Sequence, residues 1–315
     1  MHYWNGLLCG ILTSATFGTI PLFTLPLMRG GMQLPTILFY RFALSALLLG
    51  VAVALTRKTF RISGKECGTL GYLSLLYIGS ALFLFWSYDY LASGIATTII
   101  FLYPVFVAVL MAVFFKEKLS VFVYVAIGMS LVGVALLSGA GSAGGIQATG
   151  VVLGVLSALS YGVYIIGVNK SCVQNMCAWK LTFYVFLFSA VLFGLAALCK
   201  GGIQSAHGWN AHFHLLMLAL VPTVISNLSL VYAIKNIGST LSAVLGACEP
   251  LTAMIIGVSV FKEPFTRSVA CGLVLIITAV TLIILSPMLT KGYRKGKFLY
   301  ITKVRKIHPH IVPYH

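Results

Sequence analysis

Arg41, Asp89 and Glu249 are charged side chains that lie within long apolar runs of this sequence. A charge at the centre of an apolar helix costs roughly 2.5–3.5 kcal/mol on insertion scales, so each must be held there for a reason. Arg41 falls early in the run 34–55 and Asp89 late in the run 69–91. If those runs are antiparallel helices, the two charges share a depth. Two readings follow: an ion pair that lowers the cost of both, or Arg41 as a planar donor fork for a bound carboxylate, with Asp89 competing for it. Glu249 sits in the run 240–261 where Tyr103 sits in the run 95–115, and each is followed by a proline, Pro250 and Pro104. At 1.5 Å per residue both positions lie ~12–14 Å deep in a ~30 Å apolar core. The prolines free backbone carbonyls there and are candidate helix-bending residues. A carboxyl at that depth is either a hydrogen-bonded helix contact, a proton-coupling group or the partner of a bound amine.

The polar aromatic residues extend the candidate set. Trp86 and Tyr88 crowd the end of one run, whereas Tyr161 and Asn227 lie deeper in theirs. Most such residues form interfacial belts or pack. The candidate binding set is therefore Arg41, Trp86, Tyr88, Tyr103, Tyr161, Asn227 and Glu249. Glu117 and Glu263 stand beside Lys116 and Lys262 at helix ends on opposite sides and read as capping or pairing groups at the interface, with gating as the alternative, and Glu66 reads as a loop residue. An enzyme acting within a membrane would need paired carboxylates, a Ser/His set or metal ligands at matched depth. Asp89 and Glu249 are not such a pair, so no catalytic role is expected. Nothing calls for a cofactor or metal: there is no Gly-rich phosphate loop, and the seven cysteines follow no metal or disulfide spacing.

The elements that carry these residues follow from composition. The 315 residues are 60% hydrophobic and 8% charged, with a mean hydropathy of +1.02. A soluble domain carries roughly 25% charged residues, so lipid must cover much of this surface. The net charge of +16 resides in short loops and one tail and implies no nucleic-acid partner. Runs near the ~20 residues that span a bilayer occur at 4–28, 34–55, 69–91, 95–115, 119–138, 148–168, 178–199, 212–234, 240–261 and 266–287. Met1–Gly6 lacks the features of a signal peptide, so the first run is expected to be a retained helix, kinked by Pro21 and Pro26. Loops on the side of both termini are rich in lysine and arginine, while the other side holds only Arg29, Lys200, Lys262 and Arg267. Basic residues stay cytoplasmic, so both termini are expected in the cytoplasm, with the membrane a bacterial inner (plasma) membrane. The basic stretch 288–315 fixes topology or meets anionic membrane lipid.

The sequence also repeats itself. At an offset of 144, Gly6, Gly10 and Gly18 fall on Gly150, Gly154 and Gly162, and Phe39-Tyr40 falls on Phe183-Tyr184. At an offset of 146, Pro104 falls on Pro250 and Phe115-Lys116-Glu117 on Phe261-Lys262-Glu263. The halves are expected at 1–139 and 148–287, joined by the Gly/Ala/Ser-rich connector 140–147. With five spans each, the second must insert upside down, the plan of many secondary transporters. Small residues every four positions let helix backbones approach closely in lipid.

These motifs carry a resemblance. Tyr232-Ala-Ile-Lys-Asn-Ile-Gly-Ser-Thr-Leu-Ser-Ala, Glu249-Pro250 and Phe261-Lys262-Glu263, with Ser93-Gly-Ile-Ala-Thr-Thr, Tyr103-Pro104 and Phe115-Lys116-Glu117 in the first half, resemble the EamA-type transporters of the drug/metabolite transporter superfamily. The resemblance covers roughly residues 5–287. It implies an all-α integral membrane protein of ten helices in two inverted five-helix repeats, cytoplasmic termini, and efflux or exchange of small metabolites, often amino acids. Tyr103 departs from the acidic residue common before the first-half proline. The expected partners are a small-molecule substrate, membrane lipid and, through Glu249, protons. Nucleotide-sugar, sugar-phosphate or cationic drug cargo, and a non-transporting scaffold, are the alternatives.

Overall fold

A computed structural model describes residues 2–55, 60–116, 119–139, 148–174, 176–199, 201–246 and 248–307. The connector expected at 140–147 and the side chain of Glu117 lie outside them. All regular structure among the described residues is helical: α1 His2–Phe17, α2 Ile20–Arg29, α3 Leu34–Leu55, α4 Gly64–Ser87, α5 Ser93–Ile100, α6 Tyr103–Phe115 and α7 Val121–Gly139 precede the connector. After it come α8 Ala148–Lys170, α9 Ala178–Cys199, α10 Gly208–Ala219, a π-helical turn Leu220–Ile225, α11 Ser226–Leu245, α12 Cys248–Ser259 and α13 Arg267–Ile307. Among the described residues, eight helical segments are long and apolar enough to cross a membrane, and two more, Val121–Leu137 and Cys248–Ser259, are apolar but shorter. Leu47, Val51, Phe114 and Val274 turn outward fully or half exposed, the surface an integral membrane protein presents to lipid.

The helices before and after the connector interleave. Among the described residues the most extensive contacts are α7 with α13, α3 with α9, α1 with α11 and α4 with α8, and α5 also packs on α12. Exchanging the two halves leaves the first four of these partnerships unchanged. Gly6 and Gly10 of α1 face Asn236, Ile237 and Leu245, while Gly150 and Gly154 of α8 face Tyr90, Leu91 and Ile99. Gly133 and Gly272 bring α7 against α13, each with the other's carbonyl oxygen about where its own Cβ would press (3.1 and 2.9 Å). Lipid supplies no hydrophobic drive between helices, so close backbone approach of this kind is the main source of cohesion.

Local chemistry sets the helix ends, and several differ from expectation. α4 starts at Gly64 rather than 69 because Ser63 and Glu66 form a capping box: Ser63 N donates to Glu66 Oε2 (2.7 Å) and Glu66 N to Ser63 Oγ (3.3 Å). Glu66 is thus a helix cap, not a loop residue. The first run breaks at Gly18-Thr19, upstream of Pro21, which then occupies the second position of α2, where a missing N–H costs nothing. The run 95–115 breaks at Phe101-Leu102, with Pro104 second in α6. The break expected between 234 and 240 is absent: Ala233–Leu245 contains no proline, and α11 continues to Leu245, followed by α12 with Pro250 in its first turn. Likewise α13 runs through the expected tail boundary to Ile307.

Candidate functional site

Between the two sets of helices lies a cavity of about 490 Å³ to which α1, α3, α4, α6, α8, α11 and α12 all contribute. Of the residues singled out in the sequence, Arg41, Tyr103, Tyr161 and Glu249 line it together. Arg41 projects from α3 and is 4% exposed. Its Nε donates to Thr223 Oγ1 at 3.1 Å, and its guanidinium lies 5.5 Å from the Phe42 ring and 5.7 Å from that of Phe85. The guanidinium is thus held through Nε and flanked by rings at the cavity wall.

The partner of Arg41 exists because of a local irregularity. Pro222 has no N–H to continue an α-helical ladder, and the backbone widens into the π-helical turn Leu220–Ile225. Side chains satisfy carbonyls in and just before it: Thr223 Oγ1 donates to Leu218 O (3.0 Å) of α10, Ser226 Oγ to Val221 O (3.2 Å) and Asn227 Nδ2 to Thr223 O (2.6 Å). Thr223 therefore donates its hydroxyl proton to the backbone and offers its lone pair to Arg41. Thr13 Oγ1 of α1 donates to Ser226 O (3.0 Å), tying the cavity wall on α1 to the same turn.

Glu249 stands in the first turn of α12, half-buried, where the helix dipole favours a carboxylate. The wall beside it is aromatic. Tyr103 meets Tyr161 edge-on with centroids 4.9 Å apart, and Tyr77 lies 5.3 Å from Tyr164 and 6.2 Å from Tyr161. Gly162 lets α8 approach the Tyr103 carbonyl, which brings those rings together.

Other candidates go elsewhere. Arg41 and Asp89 do not meet. Asp89 lies exposed in the turn after α4, while Arg41 faces inward to Thr223. A shared depth did not put them on facing sides. Partial desolvation in that turn raises the Asp89 carboxyl above its ordinary pKa. Trp86 is 38% exposed, against Phe83. Tyr88 is buried off the cavity, its ring stacked on Phe85 and its hydroxyl 3.5 Å from Thr97 Oγ1. Asn227 supports the π-helical turn rather than lining the cavity. Conversely, Thr13, Ser14, Phe17, Tyr77 and Ser80 line it, and Thr223 orients Arg41. Tyr77 had a signal, a polar aromatic in mid-run. Thr223 had only its place after Pro222.

A model of the EamA-like transporter family matches residues 4–139 and 148–285. The chain belongs to the EamA-like transporter family. Relatives include an uncharacterized transporter of Synechocystis sp., 26% identical over 216 residues (68% of this chain, 64% of that one). The uncharacterized transporter YvbV of Bacillus subtilis is 28% identical over 200 residues (62% and 64%). An uncharacterized transporter of Archaeoglobus fulgidus is 26% identical over 188 residues (59% and 65%). The chain thus spans slightly under two thirds of the length of the relatives it matches. A solved crystal structure shares the fold, with a TM-score of 0.63 at 18% identity over 88% of this chain and 95% of the other. The EamA-like family accounts for the two-repeat layout and the membrane setting.

Proposed function

We propose that this EamA-like chain is a secondary transporter that exports or exchanges amino acids or related small metabolites by alternating access to the central cavity. Its eight long and two shorter apolar helices act as ten spans in two inverted five-helix repeats, with both termini cytoplasmic in a bacterial inner membrane.

The observation that carries this reading is a cavity lined by both halves into which one fixed cation and one carboxylate face. Its volume falls within the ~300–1,000 Å³ usual for small-molecule sites. Arg41 from the first half offers a donor fork to a carboxylate, and Glu249 from the second offers an acceptor to an ammonium. A zwitterion with both groups on one small molecule matches that pair without leaving a net charge buried. Tyr103, Tyr161 and Tyr77 supply an aromatic wall for a side chain. Phosphate cargo would call for more than one basic residue, and Arg41 is the only one lining the cavity among the described residues. The aromatic wall beside Glu249 favours one second reading, an organic cation held by ring faces and the carboxylate. Glu249 is also the group through which protons would couple.

Counterflow of labelled amino acids into liposomes carrying the purified protein tests the proposal. Saturable uptake of one class, lost in Arg41→Lys, is the expected result. Uptake of organic cations alone would select the second reading.

A further inference from the structure

The carboxylate of Glu263 lies outside the cavity and reaches from one half of the protein into the other. It follows α12, yet its oxygens serve the start of α5. Glu263 Oε1 accepts from Ser93 N (2.8 Å) and Ser93 Oγ (2.7 Å), and Oε2 accepts from Gly94 N (3.3 Å). α5 has no cap of its own, because Ala92 occupies the N-cap position and makes no side-chain bond. The chain is shaped to deliver the carboxylate. Lys262 adopts a left-handed φ of 56°, unusual for a residue with a side chain, and this turns Glu263 back toward α12. There Gly257 leaves the slot it fills, since a Cβ at 257 would collide with Glu263 Oε2. Gly94 in turn seats α5 on Met254, whose Sδ and Cα would stand 2.8 and 2.9 Å from an added Cβ.

We propose that Glu263 is a latch that closes the cavity on the face opposite the termini and opens once in each transport cycle. The inference rests on the alternating-access reading. The contact joins α5 and α12 at the end of the spans, and α5 leads through the break at Phe101 directly to Tyr103 of the cavity wall. A half-buried carboxylate bound to two amides and a hydroxyl can trade those bonds for water when the halves part. An apolar seal would have no such exchange partner. Because α5 lacks a local cap, its first turn is fully bonded only while the halves are closed, which couples closure to the order of the cavity wall.

The test reads accessibility and needs no cargo. A chain with its seven cysteines replaced by serine and Leu84→Cys added places one thiol on the cavity wall. Labelling with a membrane-impermeant maleimide is followed from each face, in intact cells and in inverted vesicles. Glu263→Ala should raise the labelling rate from the face opposite the termini about tenfold and lower it from the other. Ser93→Ala, which removes one bond of three and is the milder change, should raise it about threefold. Adding Ala92→Ser to Glu263→Ala gives α5 a cap within its own half, and the labelling should stay high. Rates that are unchanged, that rise equally from both faces, or that Ala92→Ser restores would overturn the latch and leave a structural cap. A chain that labels as expected but moves no amino acid would instead count against the proposed cargo.

Discussion

Gly18 and Gly162 occupy equivalent places in the repeat, but the structure assigns them different tolerance for a methyl group. Gly18, at the break between α1 and α2, faces the backbone of α12. A Cβ there would lie 2.6 Å from the Glu249 carbonyl oxygen, 2.6 Å from Thr252 Cβ and 3.1 Å from Ala253 N. Non-bonded heavy atoms prefer roughly 3.5–4.0 Å, so α12 must retreat by about 1 Å. Overpacking of this kind costs about 1–3 kcal/mol. A Cβ at Gly162 would meet Phe106 Cβ at 3.3 Å and Tyr103 O at 3.4 Å, which small shifts relieve. There the gain in helix propensity from Gly to Ala, up to ~1 kcal/mol, offsets the crowding. Gly18→Ala should therefore be about 2 kcal/mol less stable than Gly162→Ala, a factor of about 30 in the folding equilibrium. Equilibrium unfolding by SDS in mixed micelles measures both. Equal shifts for the two variants would refute the reasoning, because the α1–α12 contact would then be no closer than its repeat counterpart.

Arg41→Lys keeps the charge but loses the fork and the Nε bond to Thr223; counterflow kcat/KM should fall by roughly 10–100-fold with folding intact, as judged by the unfolding midpoint. Thr223→Val leaves Arg41 without its anchor and Leu218 O without its donor, and should raise KM for a carboxylate-bearing substrate severalfold while Thr223→Ser restores it. Glu249→Gln should make transport indifferent to an imposed pH gradient; transport in that variant that still follows the gradient would remove Glu249 as the coupling group.

The apolar runs and the two offsets made the helical membrane fold legible in the sequence, because span length and glycine register are one-dimensional properties. Depth is also one-dimensional, which is why Glu249 and Tyr103, equivalent in the repeat and each next to a proline, were found and do share the cavity. Facing direction is not. Arg41 and Asp89 were matched by depth, but α4 ends at Ser87 and leaves Asp89 in an exposed turn. Trp86 and Tyr88 fail for the same reason. Thr223 was invisible because its role depends on the π-helical turn that Pro222 imposes, and hydropathy patterns carry no trace of a one-residue change in winding. Glu66 and Glu263 show the converse. Glu66 reads as a loop charge and Glu263 as a cap or pairing group at its own helix end, yet each caps a helix that sequence spacing does not single out, the one locally and the other across the halves.

Counterflow of individual amino acids into liposomes, run on the parent chain and on Arg41→Lys and Glu249→Gln side by side, tests the central claim most directly. The account predicts saturable counterflow of at least one amino acid, a large loss in Arg41→Lys, and competition by amino acids but weaker competition by the corresponding amines and carboxylic acids. Equal competition by the amine or acid alone, or no counterflow by folded protein, would contradict a cavity built for a zwitterion.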